Sequence, residues 1–155
     1  MKKLVSIILA LAMLSSLSLF VSAEDSNVTV EYDVAPSFTV VIPETISVIG
    51  GSATETISVS AGSLIYADET LQITVSASVN YANGFRMVNS KRPNIFLGYS
   101  ITEGENRITL GDTLLSATAD EVFAGKETTI TITAGTPTAA GTYSDTLTFS
   151  IGTVK

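Results

Sequence analysis

The chain has 155 residues and a formal net charge of −7, with 15 acidic residues, 8 basic residues, no histidine and no cysteine. The acidic balance argues against nucleic acids and anionic membrane surfaces as partners. Without histidine and cysteine, the chain lacks the commonest catalytic bases, thiol nucleophiles and transition-metal ligands, and no disulfide can hold the fold together.

Residues 1–23 are predicted to be a secretory signal peptide. Lys2 and Lys3 form a positively charged n-region, and the run LVSIILALAMLSSLSLF that follows is apolar. Val21-Ser22-Ala23 then precedes an acidic residue, Glu24. This pattern predicts cleavage after Ala23, and it leaves residues 24–155 as one domain with no membrane span. Removing the two lysines changes the net charge from −7 to −9. An uncleaved membrane anchor is the alternative, although a span needs ~20 apolar residues.

Alternation of apolar and polar residues begins early in the mature chain and predicts strands. Residues 28–34 read VTVEYDV, and residues 38–42 alternate between Pro36 and Pro43. Each proline should interrupt pairing because it has no N–H to donate. Shorter alternating pieces follow at residues 46–48 and 57–59.

The longest alternating run, residues 71–81, is followed by Asn83-Gly84. A two-residue turn there would place the apolar side chains of the two strands on opposite faces. A three-residue loop over residues 82–84 instead pairs Tyr81 with Phe85 on one face. This parity predicts a hairpin with Gly84 in the left-handed conformation that such a loop needs.

The second half of the chain continues the same pattern. Further strands are predicted at residues 95–101, 108–110, 114–118, 128–133 and 143–151, with one helical turn at residues 119–123. Eight to ten short strands separated by turn signals, rich in Thr, Val and Ile, predict an all-β fold. We therefore expect a single antiparallel immunoglobulin-like β-sandwich over residues 24–155.

The ends of the domain resemble known exported bacterial proteins. The stretch GTYSDTLTF, residues 141–149, is similar to the closing strand of spore coat protein U-type domains, fimbrial subunits and WxL-type wall-associated domains. The stretch VAPSFTVVIPETISV resembles the first strands of small exported proteins from Gram-positive bacteria. The resemblance implies an immunoglobulin-like sandwich at the cell surface or in an appendage. The chain departs from these families in having no Trp for a Trp-x-Leu signature and no cysteine for a pilin disulfide.

Two residues of the closing stretch and one of the central turn are predicted to be structural. Tyr143 follows a Gly-containing loop that includes Gly141, and its hydroxyl can bond back to the backbone of that loop, as in a tyrosine corner. Gly84 is the third, because of the turn described above.

Two sets of charged residues are candidate binding sites. Arg86, Lys91 and Arg92 form the one basic cluster of an acidic chain, so they are candidates for contact with acidic glycans or a partner's carboxylates. A solvated loop that pairs with nearby acidic residues is the alternative, and the sequence favours it. The paired carboxylates are candidates for calcium, which prefers several carboxylate oxygens, although no EF-hand spacing is present. These calcium candidates are Asp68, Glu69, Asp120 and Glu121.

The residue types favour a secreted, non-catalytic structural or adhesion module, extracellular or associated with the cell surface, without a cofactor. Its expected partners are other surface proteins or cell-wall and extracellular glycans. A carbohydrate-binding module is one alternative, but only 7% of residues are aromatic. A pilin-like subunit assembled by donor-strand exchange is another, and a small hydrolase is the least supported.

The role of residues 28–34 decides between a closed domain and self-assembly. They can be the first strand of their own domain, or they can fill a groove of a neighbouring copy by β-augmentation. Because residues 28–34 are tied closely to the next strand by Pro36, the sequence favours pairing within the chain. That interpretation predicts a monomer that refolds without help.

Overall fold

The computed structural model describes residues 29–155, so the predicted signal peptide lies outside the described residues. The chain divides into two units, residues 1–33 and the compact unit Val34–Lys155. Of the first, the described residues 29–33 form neither helix nor strand. The elements of the second are β1 (Val40–Val41), β2 (Ser52–Val59), β3 (Thr70–Ser78), β4 (Arg86–Asn89), β5 (Arg92–Glu103), β6 (Asn106–Ile108), β7 (Thr113–Thr118), α1 (Ala119–Ala124), β8 (Glu127–Ala134), β9 (Tyr143–Ser144) and β10 (Leu147–Val154).

The strands of the described chain form two antiparallel sheets. The larger sheet has the order β1-β2-β8-β5-β4-β9, with β6 paired to the end of β5. The smaller sheet has the order β10-β3-β7. This architecture is an all-β, antiparallel, immunoglobulin-like β-sandwich, and it confirms the fold class that the alternation predicts.

The core lies between the sheets and is built from alternate residues of the strands. Successive side chains of a strand point to opposite faces, so one apolar set is buried while Thr and Ser face water. Each fully buried aliphatic side chain contributes about 1.5–3 kcal/mol relative to an exposed one. The core residues without measurable exposure are Ile57, Leu71, Ile73, Val75, Ile101, Ala117 and Val122.

The predicted hairpin around residues 82–84 is wrong, because β3 and β4 lie in different sheets. The connection crosses between the layers instead of reversing within one. Tyr81 and Phe85 still share a side, with ring centroids 5.3 Å apart in an edge-on contact. Asn83 takes the left-handed conformation, with φ 54°, and Gly84 has a φ of 147°.

The predicted closing strand over residues 143–151 is divided in two. Tyr143 and Ser144 pair with β4 in the larger sheet, whereas residues from Leu147 onward pair with β3 in the smaller sheet. The chain therefore changes sheets at Asp145-Thr146. The Ser and Thr residues of the alternation continue across this point, and only Asp145 interrupts its apolar positions.

The N-terminal alternation forms less strand than predicted. Residues 29–34 form none, and only Val40–Val41 of the run between Pro36 and Pro43 pairs with β2. Residues 46–48 are not in a sheet either. The expected first strand over residues 28–34 is therefore wrong for the residues that the structure describes. None of the helices within residues 29–155 is long and apolar enough to cross a membrane.

Candidate functional site

A cleft of about 820 Å³ lies between residues of the two sheets. Strands β4, β5 and β8 of the larger sheet line one part of it, and the beginning of β10 lines another. Its apolar lining includes Ile46, Val48, Met87, Leu97, Leu147 and Phe149. Polar residues, among them Glu44, Thr142 and Ser144, also line the cleft. The apolar part of a cleft of this size can receive the alternate apolar side chains of an added peptide segment.

Within residues 29–155, one edge of strand β10, beside this cleft, has no strand partner. Over the described residues it pairs with β3 alone, in a ladder that runs from Leu147 to Val154. The N–H and C=O groups on its other side form a template on which a further strand can add. Ile151 remains 41% exposed on this strand.

Residues 43–48, which we call the cover segment, line the cleft without joining a sheet. Strand β1 pairs with β2 at Val40 and Val41, and the bridge between Ile49 and Ser52 closes the same connection at its other end. Between these points, residues 43–48 make no backbone hydrogen bond to the rest of the described chain. The segment is held by side chains, since Ile46 and Val48 pack against the core.

Pro43 explains why the cover segment leaves the sheet. Hydrogen-bonded pairs occur at every second position of an antiparallel ladder. The carbonyl of Thr39 accepts the N–H of Ser60 at 2.9 Å, so the next such pairs fall at Val41 with Ser58 and at Pro43 with Thr56. Pro43 has no N–H to donate, and the ladder ends before it.

Asp145 fixes the point at which the chain crosses between the sheets. Its Oδ2 accepts hydrogen bonds from the Ser78 hydroxyl at 2.6 Å and the Tyr99 hydroxyl at 2.7 Å. Its Oδ1 accepts the backbone N–H and the side-chain amide of Asn80, both at 3.1 Å. One carboxylate thus joins β3, the loop after it, and β5 to the start of β10.

The electrostatics of this cluster favour an ionised carboxylate. Burial alone would raise the pKa of Asp145, but hydrogen bonds from Ser78 and Tyr99 and from backbone N–H groups outweigh it and hold the pKa below its ordinary value. Burial, with the negative charge of Asp145 beside it, raises the pKa of Tyr99 well above its ordinary value. The pair is therefore a neutral tyrosine donating to a charged aspartate, which is a strong type of hydrogen bond.

Two of the residues predicted to be structural lie at the start of β9, Gly141 in the loop before it and Tyr143 as its first residue. The Tyr143 hydroxyl donates a 2.8 Å hydrogen bond to the carbonyl of Ala139, the contact that a tyrosine corner makes. A Cβ on Gly141 would lie 2.5 Å from the Asn89 amide nitrogen. Asn89 is only 1% exposed, and its amide donates to the carbonyl of Ala140 at 3.3 Å. Gly141 is therefore required by close packing as well as by its φ of 144°.

The predicted basic cluster is spread along β4. Arg86 begins this strand, where its Nε donates to the Asn80 carbonyl at 2.6 Å and its guanidinium lies 4.0 Å from the ring centre of Phe96. Lys91 and Arg92 follow the other end of the strand and are exposed. Arg86 is thus held apart from the other two, and binding by the three residues stays a prediction.

The four calcium candidates do not form one site. Asp68 pairs with Lys155 at 3.0 Å, and Glu121 on α1 pairs with Lys126 at 2.7 Å. Glu69 follows Asp68 in its loop, and Asp120 precedes Glu121 on the helix. Within residues 29–155, no group of three or more acidic side chains is placed to hold a metal ion. Calcium binding stays a prediction without a ligand set.

Sequence reasoning missed Asp145, Asn89 and the cover segment. A signal for Asp145 was available, because it occupies an apolar position of the alternation between Tyr143 and Leu147. A charged residue at a core-facing position needs partners, and this requirement points to a buried polar cluster. Asn89 gave no comparable signal in the sequence.

No protein-family model and no curated protein matches this sequence. Among solved structures, the chain is similar to a chain of the CsuC–CsuE chaperone–tip adhesion subunit pre-assembly complex from archaic chaperone–usher Csu pili of Acinetobacter baumannii. That match has a TM-score of 0.54 and 16% identity, and it covers 76% of this chain and 40% of the other. A chain of a chaperone–tip adhesin complex of CFA/I fimbriae biogenesis gives a TM-score of 0.47 and 11% identity, with coverages of 77% and 42%.

These similarities concern the fold. At 16% identity, the Csu pilus complex shows that this chain shares the architecture of a protein in that complex. The present chain spans about two fifths of the length of the solved chains it matches, with shares of 40% and 42%.

Proposed function

We propose that this protein is an exported, non-catalytic structural subunit that assembles with further copies of itself by accepting an extended strand in the inter-sheet cleft. The observation that carries the proposal is the partly apolar cleft beside the edge of β10 that pairs with no residue of the described chain. A strand that adds to this edge gains backbone hydrogen bonds and places alternate side chains in the cleft.

The N-terminal segment is the best candidate for the incoming strand. Residues 28–34 alternate between apolar and polar side chains, as strand addition requires. In the described part of this segment, Val30 is 88% exposed and Tyr32 is 90% exposed. Large apolar side chains with this exposure gain from burial in a cleft of a second copy. The proposal therefore favours assembly over closure within one chain.

Absence of catalysis is supported by the residue types, since the chain has no histidine and no cysteine. The fold that it shares with a chain of a pilus chaperone–subunit complex agrees with a structural role.

Export is supported by the signal-peptide pattern of residues 1–23. Mass spectrometry of the exported protein should give a chain that begins at Glu24. A membrane-bound chain that retains Met1 would contradict export in this form.

Carbohydrate binding receives less support from the placement of the aromatic residues. The ring pairs of the described chain join Phe85 to Tyr81 and Tyr99, which lie in or against the core. Phe96 is partly exposed, but the Arg86 guanidinium lies over its ring. Tyr66 and Phe123 are exposed, but neither takes part in a ring pair within residues 29–155.

The test compares assembly of the full exported chain with two matched double variants. Val30→Ser with Tyr32→Ser removes the apolar side chains of the donor segment, whereas Thr29→Ser with Glu31→Gln changes its polar side chains. Light scattering after size-exclusion chromatography should show concentration-dependent polymers for the unmodified chain and the second variant. The first variant should be a monomer that binds an added VTVEYDV peptide.

The opposite result would be a chain that remains monomeric at every concentration and binds no VTVEYDV peptide. That result would favour closure of the domain by its own N-terminal segment. Polymers that persist unchanged in the Val30→Ser, Tyr32→Ser variant would assign assembly to a different surface.

A further inference from the structure

We propose that the cover segment, residues 43–48, is a displaceable lid that occupies the strand-binding cleft and leaves it when a partner strand is bound. This inference rests on the proposed function, because it names the element that the incoming strand must displace. The segment lines the cleft together with Leu147 and Phe149 of β10, so it lies where an added strand would place its side chains.

The lid is held less firmly than a strand of a sheet, because only its side chains attach it to the rest of the described chain. Alternate residues Ile46 and Val48 are half-buried against the core, while Thr45 and Ser47 face solvent. Unlike a strand, the segment has no backbone hydrogen bond to the described chain. A partner strand supplies the same kind of apolar contact and adds a ladder to β10, so it competes with the lid at an advantage.

The lid also has a place to which it can move. On the side of β2 away from β8, residues 53–57 have no ladder partner among the described residues. The lid is joined to this strand at both of its ends, through the pairing at Val41 and the bridge at Ile49. It can therefore lie against the edge of β2 without breaking either connection. Two such positions make the lid a two-state element.

A lid that competes with the ligand reduces the apparent affinity by the fraction of molecules whose cleft is open. Weakening the lid should consequently tighten binding of the partner strand. Weakening the permanent wall of the cleft should loosen it. These opposite signs distinguish a displaceable lid from an ordinary part of the binding site.

The test measures binding of a fluorescent VTVEYDV peptide to the full chain in the Val30→Ser, Tyr32→Ser background, which removes competition from the chain's own segment. Ile46→Ser should lower the dissociation constant by about five- to tenfold, and Ile46→Val by a smaller factor. Ile49→Ser is the matched control, because Ile49 is 83% exposed and does not line the cleft. It should leave the affinity unchanged, and Met87→Ser in the wall should weaken it.

A second measurement follows the lid directly. Because the chain has no cysteine, Ser47→Cys can be labelled at a single site with a nitroxide. The label should become more mobile when the peptide is bound, whereas a label at Thr129→Cys on the outer face of β8 should not change. If Ile46→Ser does not fold, Ile46→Val still tests whether a weakened lid tightens binding of the peptide.

The outcomes separate the two proposals. If the peptide binds but Ile46→Ser and Ile46→Val weaken binding or leave it unchanged, and the Ser47 label does not respond, the lid is overturned and strand binding stands. If the peptide does not bind to any variant, including those with a weakened lid, both strand binding in the cleft and its displacement of the lid are contradicted.

Discussion

The Tyr99 hydroxyl donates a 2.7 Å hydrogen bond to Oδ2 of Asp145, and this bond joins β5 of the larger sheet to the point where the chain crosses to the smaller one. Tyr99 is 7% exposed, so its hydroxyl has little access to water. The wall of the cleft formed by the start of β10 depends on this crossing, since Leu147 follows Asp145 by two residues. The bond thus connects the stability of the sandwich to the shape of its candidate binding site.

Removing either partner of this bond should lower the free energy of unfolding. Tyr99→Phe should cost about 1.5 kcal/mol, and Asp145→Ala about 2–3 kcal/mol because it also leaves the Tyr99 hydroxyl buried without an acceptor. The double variant should lose less than the sum, with a coupling of about 1–2 kcal/mol in urea denaturation. Tyr81→Phe is the control, because the Tyr81 hydroxyl makes no hydrogen bond to another described residue. Additive effects would contradict a direct Tyr99–Asp145 interaction.

Stability should depend on pH through Asp145. Its pKa is lower in the folded protein than the ordinary value of 3.8, so the folded state binds the proton less readily than the unfolded state. The stabilisation is fully present above the unfolded pKa, and it is lost as the pH falls below that value and through the folded pKa. Asp145→Asn should therefore flatten the acid limb of a plot of unfolding free energy against pH. Exposed pairs such as Asp68 with Lys155 also titrate, but salt screens them more strongly. An acid limb identical in the variant and the parent at high salt would contradict the assignment.

Tyr143→Phe tests the corner before β9. Loss of the hydrogen bond to the Ala139 carbonyl should lower the free energy of unfolding by ~0.5–1.5 kcal/mol, the usual net contribution of one such bond. Binding of the VTVEYDV peptide to the folded variant should be unchanged, because the hydroxyl is directed to its own loop. A variant with an unchanged melting temperature but impaired peptide binding would instead give Tyr143 a functional role.

Gly141→Ala should lower the stability of the fold, whereas Gly98→Ala should not. At residue 141, the new methyl group would lie 2.5 Å from the Asn89 amide nitrogen, at a φ of 144° that side chains rarely adopt. This substitution should cost more than ~1 kcal/mol. At Gly98, within β5, no described residue other than its two chain neighbours has an atom within 4 Å of the position that an added Cβ would take. Alanine should therefore be neutral or stabilising there by up to about 1 kcal/mol. Equal melting temperatures for the two variants would contradict the close packing around Asn89.

The sequence pattern predicted much of this fold because the two-residue period of a strand can be recognised within a short stretch of neighbouring residues. It identified β2, β3, β5, β7 and β8 and the helical turn α1. It could not show that residues 79–85 cross between sheets, since alternation identifies the face of a side chain and not the partner of the strand.

For the candidate site, the sequence by itself determined the composition that argues against catalysis, the alternating donor segment at residues 28–34, and the proline that interrupts the first ladder. Tertiary structure alone decided that the closing stretch divides at Asp145, that residues 43–48 lie in the cleft, and that one edge of β10 has no strand partner within residues 29–155. The physical reason is that strand pairing joins residues far apart in sequence. Ser78 and Tyr99 approach Asp145 from 67 and 46 positions away, and no local pattern records such a contact.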